Sequence, residues 1–78
     1  MVDEKQFFQA LGQRIKRLRK SSERTQEDMI AFGFSARHWQ QIEAGRPITI
    51  RTLLRICDTF GVYAAQLVDR LDRGIYKK

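Results

Sequence analysis

Apolar residues in the first part of the chain recur every three or four positions, at Phe8, Leu11, Ile15 and Leu18, while Arg14, Lys16, Arg17 and Lys20 take the other faces. That period predicts an amphipathic helix, with Asp3 placed to cap its start. Thr25 then precedes Gln26, Glu27 and Asp28, and Asp28 stands at the capping-box distance from Thr25, in an aspartate form of the motif. Two early acids suit the positive end of a helix dipole, so a short second helix is predicted, ending near Phe32.

Gly33 breaks that segment and Ser35 can cap the next, leaving a turn of only a few residues between helices two and three. Two short helices joined this tightly have the sequence shape of a helix-turn-helix. Helix three runs from Ser35 to Ala44 and ends at Gly45-Arg46-Pro47. Thr49 can cap a fourth helix whose Ile50, Leu53, Leu54, Ile56, Cys57 and Phe60 are too many for a narrow stripe, so it is expected to be the most buried. Gly61 ends it, and a fifth segment places Ala64, Leu67, Val68, Leu71 and Ile75 on one face. No period-two strand, repeat or linker interrupts the series. The expectation is an all-α, compact five-helix fold, a single domain over residues 1–78.

Charge narrows the function. Lys and Arg total 15 against 9 for Asp and Glu, a net charge of +6 in 78 residues, which favours a polyanionic partner. Cys57 has no second cysteine to pair with, and with His38 it falls short of a four-ligand zinc site, so neither metal nor cofactor is expected. One His, one Cys and no clustered carboxylates leave no nucleophile-and-base pair, which argues against an enzyme. Met1 to Ala10 lacks the apolar run of a leader, and no stretch approaches the ~20 apolar residues of a membrane span. A cytoplasmic, nucleoid-associated setting is expected.

At about 100° per residue, Ala36, Arg37, Gln40, Gln41 and Ala44 share one half of helix three, and His38, Trp39, Ile42 and Glu43 the other. Arg can donate two hydrogen bonds to guanine, Gln can pair with adenine, and a small Ala lets the backbone approach or meets a thymine methyl. No acid on that half would repel phosphate. Taken alone, such a face is an ordinary solvated surface. The cap-helix-glycine-cap-helix arrangement and the basic chain make it a DNA-reading face instead. Trp39 and Ile42, opposite Arg37, are expected in the core, His38 at its edge, and Cys57 as a small buried hydrophobe.

Several runs in order, Leu11-Gly-Gln-Arg-Ile-Lys-Arg-Leu-Arg19, Thr25-Gln-Glu-Asp-Met-Ile30, Gly33-Phe-Ser35, Ile42-Glu-Ala-Gly45 and Thr52-Leu-Leu-Arg-Ile56, resemble the lambda repressor and Cro family over about residues 11–68. An N-terminal extension and an extended last helix lie outside that match. The resemblance implies a dimeric transcriptional regulator that binds a near-palindromic double-stranded operator. It implies base reading by Ala36, Arg37, Gln40 and Gln41, and phosphate or backbone contacts by Gln26, with the cap residues Thr25 and Ser35 and with Ala44 and Arg46. It also implies an ion pair between Arg19 and Glu43. An unpaired carboxylate on the inner half of helix three would be costly, which supports that pair independently.

The chain departs from the family pattern in places. Gln26 to Gly33 is one residue short, Ile30 replaces a small residue, Glu23-Arg24 replaces a Gly-hydrophobic pair, and Tyr63 stands at a usual cap position. A homodimer interface is expected on helix five, at Leu67, Leu71, Ile75 and Tyr76, with packing against helix four as the competing account of Leu67 and Leu71. The alternative function is a protein-binding module of the same fold, an antitoxin-like protein or an adaptor to RNA polymerase. It would use helix five or the Phe7-Phe8 arm on its partner.

Overall fold

The computed structural model describes residues 1–77, which are folded into four α-helices and one 3-10 helix. They are α1 (Glu4–Ser21), the 3-10 helix (Glu27–Phe32), α2 (Ala36–Glu43), α3 (Ile50–Phe60) and α4 (Ala64–Val68). The caps lie where the sequence places them. Asp3 accepts the Gln6 N–H, Ser35 the His38 N–H, and Thr49 the Thr52 N–H. Thr25 and Asp28 form a reciprocal capping box, at 2.7 and 3.2 Å.

The second segment winds as a 3-10 helix rather than an α-helix. Its six residues rise about 12 Å at that pitch against about 9 Å as an α-helix. The 3-10 form thus covers the greater axial distance for its six residues. Glu23 closes α1 without a glycine. It sits at φ 58°, the left-handed position that ends α1, where its N–H bonds to Lys20 and the Arg24 N–H bonds to Arg19. Arg24 beside it lays its guanidinium 4.5 Å over Phe32 and 5.4 Å from the Phe60 ring centre.

The core gathers Leu11 and Ile15 of α1, Met29, Phe34, Trp39 and Ile42 of the helix-turn-helix, Leu53, Ile56 and Cys57 of α3, and Leu67 of α4. Burial of each large aliphatic side chain contributes about 1.5–3 kcal/mol. α1 crosses the end of α2 at Gly12. A Cβ there would stand 2.7 Å from the Ile42 carbonyl and 2.8 Å from that of Glu43, so the crossing requires glycine.

The packing qualifies one expectation and corrects another. In α3, Leu53, Ile56 and Cys57 face inward, but the wide apolar face is not wholly covered, since Ile50 is 70% and Leu54 54% exposed. In so small a protein α3 has neighbours on one side only. The last helix is also shorter than its apolar spacing suggests, ending at Val68 and giving way to turns with Arg70 at φ 62°. Leu67 and Ile75 are therefore core residues, 3% and 4% exposed, and offer no surface to a second copy. Of the four residues assigned to a dimer interface, Leu71 is half-buried and only Tyr76 is well exposed, its hydroxyl donating to Asp72.

The two ends of the chain meet. Val2 and Tyr76 form an isolated antiparallel bridge, and the Asp3 N–H donates to the Ile75 carbonyl at 2.7 Å. Arg14 ties α1 to the end of α4 by donating to the carbonyls of Leu67 and Asp69 at 3.2 and 2.6 Å. Neither link has a periodic signal in the sequence.

Candidate nucleic-acid interface

The 3-10 helix and α2 are joined through Gly33, whose φ of 90° a side chain would strain. Arg55 of α3 holds this turn, donating to the Gly33 carbonyl at 3.0 Å with its guanidinium 4.5 Å over the Phe34 ring. Phe34 meets Trp39 edge to face, ring centres 5.0 Å apart. Buried Phe34, Trp39 and Ile42 thus set the rotation of α2 about its axis. That rotation leaves Ala36, Arg37, Gln40 and Ala44 exposed and Gln41 and His38 half-buried.

Beneath that face lies a polar node. The Glu43 carboxylate accepts Nε and Nη2 of Arg19 at 2.6 and 3.0 Å, Nε2 of Gln26 at 3.0 Å and the Trp39 indole N–H at 2.5 Å. Arg19 also donates to the Arg24 carbonyl at 2.8 Å. Both charges are buried, with side chains 7% and 4% exposed, so the attraction must offset a large desolvation cost. Burial alone would raise the Glu43 pKa. Hydrogen bonds from Arg19, Gln26 and Trp39, with the Arg19 charge, overcome this and hold it below the usual glutamate range. The Glu43 hydrogen bond in turn raises the Arg19 pKa against desolvation.

Trp39 and Gln26 as partners of Glu43 were not legible at the sequence level. Trp39 to Glu43 is an i, i+4 step, which could have suggested the first. The second needed the crossing of two helices. Gln26 points one amide hydrogen into the node rather than standing wholly at the surface.

Around the node the surface is basic. Lys16, Arg19, Lys20, Arg24, Thr25, Gln26, Glu27, Ala36 and Gln40 line an open cleft of about 710 Å³ between α1 and α2. At the other end of α2, His38, Gln41 and Arg46 line a smaller one of about 330 Å³. Among the described residues the ion pairs are Arg19–Glu43 and the exposed Arg70–Asp69, so Arg37, Arg46, Lys16 and Lys20 have no acid within 4.0 Å. The structure therefore brings Ala36, Arg37, Gln40, Gln41, Ala44 and Arg46 to one surface, with Ser35 and Thr25 at helix starts beside it. No described helix is long and apolar enough to cross a membrane.

A helix-turn-helix packed on a buried ion pair, with a basic outer face, defines a class of small all-helical protein. The family comparison agrees: residues 10–71 match the family of the helix-turn-helix domain, and the chain belongs to that family. Searches of curated proteins and of solved structures return no match.

Proposed function

We propose that this protein is a sequence-specific reader of double-stranded DNA of the lambda repressor and Cro type, acting inside the cell as a small dimeric transcriptional regulator. The observation that carries the proposal is the division of α2. Its inner half is committed to the core and to the Glu43 node, while on its outer half Arg37 has no carboxylate within 4.0 Å among the described residues and shares the face with Gln40 and Gln41. Two glutamines and a forked cation on that half are available to a ligand, and that set suits base edges in the major groove. Ala36 allows close approach. Ser35, Thr25, Ala44 and Arg46 are assigned to the phosphate backbone. Gln26 joins them with the amide hydrogen that Glu43 does not use.

DNA fragments selected from a genomic library by the purified protein, then titrated against random duplex, test this reading. A recurring two-fold-symmetric motif is expected. Arg37→Ala should then weaken binding to the motif by about 1–3 kcal/mol while random duplex is little affected. Equal loss on both would make Arg37 a phosphate contact. No enrichment at all would turn attention to a protein partner such as RNA polymerase or a toxin.

A further inference from the structure

The cleft between α1 and α2 joins the proposed reading face to cations that the reading so far leaves unused. Lys16 and Lys20 are one helical turn apart on α1, both exposed, and both line the cleft together with Ala36 and Gln40 of α2. Two neighbouring contacts fix which way this side of α1 faces. Arg14 donates to the end of α4, and Lys16 stands about 200° further round the helix, away from α4. Arg19 reaches Glu43 of α2, and Lys16 and Lys20 flank it on either side. Arg17 lines only a shallower recess with Gln13 and the same two lysines, away from α2. One acid, Glu27, lies among the lining residues of the cleft, and neither lysine has a carboxylate within 4.0 Å among the described residues.

We propose that Lys16 and Lys20 form a second phosphate-binding track, which grips the DNA backbone bordering the groove that Ala36 and Gln40 face. The inference rests on the reading of α2 as the recognition helix and adds α1 to the interface. A lysine ammonium is a compact charge without the planar fork of arginine, so these residues position the duplex and carry no base preference. The partner chemistry is a phosphodiester chain along the length of the cleft, because two like charges one turn apart on a helix attract a line of negative charge.

The experiment is a salt titration of the full chain on its selected duplex and on random duplex, by fluorescence anisotropy from about 50 to about 200 mM salt. Each phosphate contact contributes about 0.9 to the slope of log affinity against log salt. Lys16→Gln/Lys20→Gln should reduce that slope by about 1.8, so the variant loses about tenfold less affinity than wild type across the range. The loss at low salt should be the same on both duplexes, leaving the sequence preference unchanged. The charge-matched variant Arg73→Gln/Lys77→Gln, on exposed positions near the paired chain ends, should leave the slope as it is. An unaltered slope in the α1 variant, or an equal reduction in both, overturns the track while leaving the function of α2 standing. Failure of the wild-type protein to bind any duplex overturns both.

Discussion

Glu43 accepts four hydrogen bonds from three side chains, and its buried charge has a stability consequence that depends on pH. Its folded pKa lies below that of the unfolded chain, so on acidification the unfolded state takes up the proton first. The stabilisation is full above the usual glutamate range and is lost as pH falls through the lowered folded value. Removing one partner of a buried pair costs about 3–5 kcal/mol. Glu43→Gln should therefore lower Tm by more than about 10 °C near neutral pH. Melting curves by circular dichroism from about pH 7 to about pH 3 should show the gap between variant and wild type closing in acid. A gap that stays constant would mean that the pair does not carry the charge-dependent stability ascribed to it.

At the scale of elements, the protein keeps a helix end in a conformation its residue disfavours. Glu23 is in the left-handed region at φ 58°, which costs a side chain about 1 kcal/mol relative to glycine. Its N–H still bonds to Lys20, so the motif forms without glycine. Glu23→Gly should relieve that cost and raise Tm by about 4–8 °C, since about 1 kcal/mol shifts a domain of this size by that amount. A Tm that falls instead would show that the greater chain entropy of glycine outweighs the relieved strain. The 3-10 winding of Glu27–Phe32 belongs to this scale too: segment length and the Thr25–Asp28 box are visible in the sequence, while the pitch is not.

For the whole molecule, the proposed dimer needs an exposed apolar surface. Leu67 and Ile75 are core residues, whereas Ile50 and Leu54 stand exposed one turn apart on α3. Beside Ile50 runs a groove of about 270 Å³ that also includes Phe7, Phe8, Ile48 and Val68. It opens at the start of α3, close in the chain to the end of α2, and a dimer formed there would have to set two recognition helices about 34–36 Å apart. A second copy is the proposed occupant. Sedimentation equilibrium at micromolar concentration should show a dimer for wild type and a monomer for Ile50→Lys. That substitution lies on a residue 70% exposed, so melting of the dilute protein should change little. A wild-type monomer, or a variant that still dimerises, would rule this face out.

Short-range physics was legible in the sequence by itself. Caps at Asp3, Thr25, Ser35 and Thr49, the breaks at Gly33 and Gly61, and the inward stripe of α1 each depend on residues within a turn of one another, so spacing alone reveals them. The outward half of α2 followed from the same periodicity. Tertiary structure decided what depends on the meeting of distant segments. The Arg19–Glu43 pair was expected from the resemblance, but the cross-link of Glu43 to Gln26, the close approach of α1 at Gly12, the pairing of the chain ends and the burial of Ile75 all join residues far apart in sequence. So does the placing of Lys16 and Lys20 beside α2. A helix's own period shows which residues share a face, but only its neighbours determine whether that face meets core, solvent or another helix.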